Sequence, residues 1–146
     1  MEIKSKFDGH IIFKDDSATF KLTVEAAVKS KIDMRGAYMQ GADMRGAYMR
    51  GADMQGAYMQ GVIIKEGVEL KANMSILQCG PCGSRQDYLI IFNTKVGLYV
   101  KAGCFLDTLT KFVSAVREKH KGTVYEKEYL NIVKMATAHF KIHAKD

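Results

Sequence analysis

Cys79-Gly-Pro-Cys82 is the stretch of this chain whose residue types and spacing point most directly to chemistry. Two thiols separated by two residues suit two tasks. In a redox pair, the first thiol sits at a helix N-terminus, which lowers its pKa. In a zinc site, the pair supplies half of a tetrahedral ligand set. Cys104 offers a third thiol, and His120 is the nearest histidine in sequence, ahead of His139 and His143. The surroundings suit neither task. No βαβ pattern encloses the pair, a Gly-Ser-Arg turn and then a strand follow it, and no second compact ligand pair exists. The preferred reading is a turn-rich structural loop, with Cys104 as a small buried hydrophobe. No metal or cofactor is expected, and Cys79, Cys82, Cys104 and His120 are the fallback ligand set.

Ser84 and Arg85 form a candidate anion site, through backbone N–H groups and the guanidinium. They lack the Gly-x4-Gly-Lys pattern that would make them a phosphate loop. Lys111, Arg117, Lys119, Lys121, Lys127, Lys134 and Lys141 form a basic helical series. Glu118, Glu126 and Glu128 interrupt it, as on an ordinary solvated face, so nucleic acid is not an expected partner. No Ser-His-Asp set or paired-carboxylate site can be assembled, and no enzymatic activity is expected.

A chain of 146 residues suits one domain or two small ones. Its net charge is +6. Residues 1–30 sum to zero, 31–72 to +1 and 73–146 to +5, so the basicity belongs to the C-terminal half. No run approaches the roughly 20 apolar residues that span a membrane. Met1 to Phe13 lacks the apolar core of a signal peptide. Three cysteines are too few for a disulfide scaffold. The expected location is cytoplasmic, without membrane association.

The stretch that must position everything else is Ile32 to Gly61, which reads IDMRG-AYMQG-ADMRG-AYMRG-ADMQG-AYMQG. Six blocks of five alternate Asp and Tyr at their second position. A period of five matches neither the two-residue repeat of a strand nor the 3.6-residue repeat of a helix. Glycine in every block also opposes helix. The chain must turn after each short extended segment.

These blocks resemble the pentapeptide-repeat family, with its Ala-(Asp/Asn)-Leu-x-x motif and Met in place of Leu. The resemblance implies a right-handed quadrilateral β-helix of about two coils, with twenty residues per coil. It places Met34, Met39, Met44, Met49, Met54 and Met59 inward as the solenoid core. The small residues Ile32, Ala37, Ala42, Ala47, Ala52 and Ala57 lie beside them. Tyr38, Tyr48, Tyr58, Arg35, Arg45 and Arg50 then face outward as a candidate interaction face. Tyr38 is expected beneath Tyr58, Asp33 beneath Asp53 and Gln40 beneath Gln60. Some members of the family inhibit DNA gyrase by resembling duplex DNA. They are long acidic rods, which a short, near-neutral repeat in a basic chain is not.

The remaining segments are expected to be an N-terminal β/α cap over 1–31, the repeat over 32–72, and a small α+β unit over 73–146. In the cap, a strand or hairpin over 3–14 precedes a helix from Thr23 to Lys31, with Thr23 as its N-cap. Val62–Glu66 and Val68–Ala72 read as two further blocks separated by Gly67. Ser75–Cys79, Asp87–Phe92 and Leu98–Cys104 read as antiparallel strands. Helices follow from Asp107 or Thr108 to His120, and from Tyr125 to His139 or beyond. This half resembles the C-terminal region of phage-encoded pentapeptide-repeat proteins. The expected function is a non-enzymatic structural or protein-interaction role, as a homo-oligomer with an unidentified protein partner. The alternative is a small zinc or thiol-redox module at Cys79 and Cys82.

Overall fold

A computed structural model describes residues 1–71 and 76–144. β1 (Glu2–Ser5) and β2 (Ile11–Lys14) pair antiparallel, and β1 pairs on its other edge with β3 (Ala37–Tyr38). α1 (Phe20–Lys29) starts earlier than expected. Its N-cap is Thr19, whose hydroxyl accepts from Leu22 N at 3.2 Å. Thr23 is inside the helix and fully buried, and its hydroxyl donates to Asp15 Oδ1 at 2.8 Å. Phe20 to Val24 alternates like a strand, and the Thr19 cap overrides that pattern. Val24, Ala27 and Val28 form the face of α1 that joins the core of the repeat.

The repeat is a run of tight turns. In each of six successive blocks, the N–H of the first residue donates to the carbonyl of the preceding methionine; Ala37 N to Met34 O, at 3.1 Å, is the first. Each turn places its glycine at a φ between 69° and 77°, which a residue with a Cβ adopts only at a cost. All six methionines are buried, none more than 5% exposed. Contact also recurs at a spacing of twenty residues. Met39 N donates to Tyr58 O and Tyr58 N to Ala37 O, both at 2.8 Å. The Tyr38 and Tyr58 rings stack at 5.4 Å with 9° between their planes.

This is not the closed right-handed quadrilateral β-helix of about two coils, and neither β-helix nor solenoid describes it. The described residues form three separate sheets, ordered β2-β1-β3, β4-β5 and β6-β7-β8-β9, none of which closes on itself. The twenty-residue spacing leaves only the single parallel bridges Tyr38 to Tyr58 and Asp43 to Ile63 among those residues. Each block offers about two extended residues, too few to run a strand. β1 takes one edge of β3. After β4 (Ile63–Lys65), Gly67 turns β5 (Val68–Glu69) straight back, so the two expected blocks form a hairpin.

The backbone that would have met a further pass is met by side chains. Tyr48 N donates to the Glu25 carboxylate at 2.6 Å. Gln78 accepts from Met54 N at 2.8 Å and donates to Ala52 O at 3.2 Å. One side-chain amide thus replaces the peptide group of an absent strand.

Four antiparallel strands follow in sequence order: β6 (Ile76–Cys82), β7 (Asp87–Thr94), β8 (Gly97–Ala102) and β9 (Phe105–Thr108). The Cys79–Cys82 stretch is therefore strand, and β9 was not expected. The expected boundary at 72/73 and the strand start at Ser75 lie outside the described residues. β7 is buried on both faces. Ile90 and Phe92 pack into the methionine core, while Leu89 and Ile91 pack with α2 (Leu109–Lys119) and α3 (Val124–His143). A strand covered on both sides reads as the continuous apolar run Leu-Ile-Ile-Phe. No described helix is long and apolar enough to cross a membrane.

Replacing Gln78 with alanine orphans the Met54 N–H and the Ala52 carbonyl. It is expected to cost about 1–3 kcal/mol of stability in urea unfolding. Gln40→Ala, on the exposed side of the repeat, is expected to stay within about 0.5 kcal/mol of the parent.

Candidate functional site

The repeat blocks carry an internal pairing rule. In extended backbone, residues two apart face the same way. In Asp-Met-Arg blocks the arginine folds back on its own aspartate. Arg35 Nη2 lies 2.6 Å from Asp33 Oδ2, and Arg45 Nη2 lies 2.7 Å from Asp43 Oδ2. Hydrogen bonds from the arginine hold both carboxyls down at about 2, well below the usual range. In Tyr-Met-Gln blocks, the Tyr38 and Tyr58 hydroxyls donate to Gln40 and Gln60. Like charge at Asp33 and Asp53 is relieved by Arg35 on one and by Gln78 on the other, whose Nε2 donates to Asp53 Oδ1 at 3.3 Å. Arg45 instead serves Asp43 and Glu66.

Two adjacent blocks break the rule. Residues 48–50 read Tyr-Met-Arg and 53–55 read Asp-Met-Gln. Tyr48, Arg50 and Asp53 have no partner side chain within their own blocks, and they turn to other elements. Lys29 of α1 lies 5.2 Å above the Tyr48 ring, a cation–π contact. Arg50 Nε is 3.8 Å from Asp87 Oδ2 of β7.

These residues line a groove between the repeat and the four-stranded sheet. Two clefts meet at Tyr48 and Arg50. One, of about 340 Å³, runs between Met44, Met49, Ile64, Phe92 and Leu106, with Lys101 and Cys104 at its edge. The other, of about 530 Å³, runs under the end of α1, among Lys29, Lys31, Arg35 and Asp53. Lys101 is half-buried, which pushes its ammonium pKa below the usual lysine value, and its Nζ donates to Gly103 O at 3.1 Å. Lys31 makes no ion pair among the described residues. The groove thus has an apolar floor and a rim of mixed charge in which cations outnumber carboxylates, a combination suited to an anionic segment with apolar side chains.

The structure divides the expected interaction face. Tyr48, Arg50 and Arg35 reach the groove, Tyr38 and Tyr58 are used up in their stack, and Arg45 is held by two carboxylates. Lys29, Lys31 and Lys101 were missed, although the two irregular blocks could have flagged the place, and Cys104, expected as a buried hydrophobe, is instead exposed at the groove's edge. Ser84 and Arg85 lie on the β6–β7 turn beside a separate cleft. No group of three or more potential metal ligands exists among the described residues, so Cys79, Cys82, Cys104 and His120 do not form a ligand set. The thiols are also tuned against redox work. Burial first, then Glu128, Cys79 and Asp87, push the Cys82 thiol up to about 11, and burial raises Cys79 as well. The zinc alternative thus finds no ligand cluster among the described residues, and both thiols of β6 have raised pKa values.

Comparison with known families identifies one segment. Residues 30–65 are pentapeptide repeats, matched as eight copies. No curated protein and no solved structure matches this chain significantly.

Cys104 is exposed, while Cys79 and Cys82 are partly buried and held as thiols. Iodoacetamide near neutral pH is expected to modify Cys104 first, with Cys79 and Cys82 slower by about tenfold or more. Peptide mass spectrometry over time reads the order, and comparable rates at Cys82 would overturn it.

Proposed function

We propose that this chain, whose residues 30–65 are a pentapeptide repeat, is a non-enzymatic protein-interaction module. Its partner presents an acidic segment bearing apolar or aromatic side chains. The observation that supports this most is the groove where Tyr48 and Arg50 meet the sheet. Five cations, Lys29, Lys31, Arg35, Arg50 and Lys101, border it, with three carboxylates, Asp33, Asp53 and Asp87. Arg35 is paired with Asp33 and Arg50 with Asp87, which leaves Lys29, Lys31 and Lys101 against Asp53. The apolar floor supplies contact area, the rim supplies orientation and rate of encounter, and tyrosine and arginine are frequent interface anchors.

The same geometry argues against duplex mimicry. The aspartates Asp33 and Asp43 are neutralised by arginines of their own blocks, so this face is not a row of negative charge. The groove's thiol, Cys104, has no histidine beside it in the lining to act as a base.

Selection of displayed peptides on the full chain tests the reading. The selected peptides are expected to combine aspartate or glutamate with aromatic residues and to bind more weakly as salt is raised. Arg50→Gln restores a Tyr-Met-Gln block and removes one rim cation. It is expected to weaken binding about tenfold with folding intact, whereas Tyr38→Ala leaves binding unchanged. Peptides without acidic residues, or unchanged binding by Arg50→Gln, would overturn the proposal. A photo-crosslinker on Cys104 that captured only a second copy of this chain would likewise replace a foreign partner with self-association.

A further inference from the structure

A second cleft opens on the helix-covered side of the same sheet, and its chemistry differs from the groove's. Its floor is aromatic. Phe105 and Phe112 meet edge to face at 5.6 Å, as do Phe112 and Tyr129, and the His120 ring lies 5.6 Å from Tyr129. Phe112 and Tyr129 are buried in the core beneath the helices, so this floor is fixed. Its rim carries Ser84, Arg85 and Lys119, and no carboxylate lines it.

The arginine on this rim is unlike those of the repeat. Arg35, Arg45 and Arg50 each face a carboxylate, but Arg85 makes no ion pair or hydrogen bond among the described residues. Lys119 likewise makes no ion pair among the described residues. Arg85 is exposed, but the turn that carries it is anchored to α3, where Gly83 N donates to the Glu128 carboxylate. The Tyr129 hydroxyl packs where a Gly83 side chain would stand. The guanidinium itself lies over Gly103, where a Cβ would collide with it. An exposed cation on an anchored turn, with no ion pair among the described residues, is available to an anion.

We infer that this cleft binds a small aromatic acid, a single ring bearing a carboxylate. The ring lies on Phe105, Phe112 and Tyr129, and the carboxylate meets the Arg85 guanidinium, with Lys119 and the Ser84 hydroxyl alongside. The planar fork of arginine suits a carboxylate, and ring against ring favours an aromatic body over an aliphatic one. The size agrees. The cleft holds about 170 Å³, and a protein cavity on the order of 150 Å³ accommodates benzene. This site lies apart from the groove and does not depend on it.

Titration of the full chain with benzoate, followed by amide chemical shifts, tests the inference. Saturable shifts are expected at residues 84–86, 102–105 and 119–120. Acetate and benzyl alcohol, which supply the charge or the ring alone, are expected to bind about tenfold more weakly or worse. Arg85→Met is expected to weaken benzoate about tenfold and Arg85→Lys by less. Lys119→Met provides an independent loss should Arg85→Met fail to fold. Arg50→Gln leaves benzoate binding unchanged and so separates this site from the groove. Absence of saturable shifts, equal binding of acetate, parent-like binding by Arg85→Met or by Lys119→Met, or shifts centred on Arg50 and Lys101 would overturn the inference.

Discussion

The peptide groups of a chain that turns every five residues cannot be satisfied within their own block. What meets each of them decides how the rest of the molecule is built. Where the chain returns after twenty residues, the second pass answers the first, as Tyr58 answers Ala37 and Met39. At β3, β1 takes the open edge. At Tyr48 and at Ala52 to Met54 no backbone returns among the described residues, and Glu25 and Gln78 stand in. An unmet buried peptide group costs as much as a lost hydrogen bond. That cost applies at the partly buried Gln78 contacts, which tie β6 to the repeat, whereas the Glu25 contact is exposed and α1 is seated by its apolar face. The groove is the space left between elements so positioned.

β7 carries the same constraint into the other half. Its alternate residues serve two cores, methionines on one side and helices on the other. β8 repeats the division at its end, where Lys101 faces the groove and Ala102 lines the aromatic cleft. Gly103 follows, exposed to the groove on one side and covered by Arg85 on the other. Both sites thus border one strand end, with opposite surroundings. One lies against apolar side chains and paired charges, the other against rings and an unpaired guanidinium.

The repeat itself is legible as a period of five, and the pentapeptide-repeat resemblance places its methionines inward and Tyr38 beneath Tyr58. Asp87 to Phe92 is legible as a strand, but its burial on both faces is not. The parts that misled are those decided by competition for an edge. A closed β-helix needs every side to be answered by another pass, but β1 and the Gly67 turn take those places. Cys79-Gly-Pro-Cys82 reads as a loop because glycine and proline punctuate it. The β6–β7 pairing absorbs them in a register shift between Cys79 and Cys82. The clefts were hidden for a different reason. Arg85, Lys119 and Tyr129, or Arg50, Lys101 and Met44, come together only after the sheet has folded.

The two irregular blocks show how a repeat can specify its own docking place. Asp-Met-Arg and Tyr-Met-Gln blocks pair within themselves, although Arg45 also reaches Glu66. Interchanging the third residue, as at Arg50 and Gln55, frees Tyr48, Arg50 and Asp53 without disturbing Met49 or Met54 in the core. The freed groups meet Lys29, Asp87 and Gln78, which come from three different elements. Under the proposed function, the docking place of this repeat is set less by its consensus than by where the pairing within blocks fails.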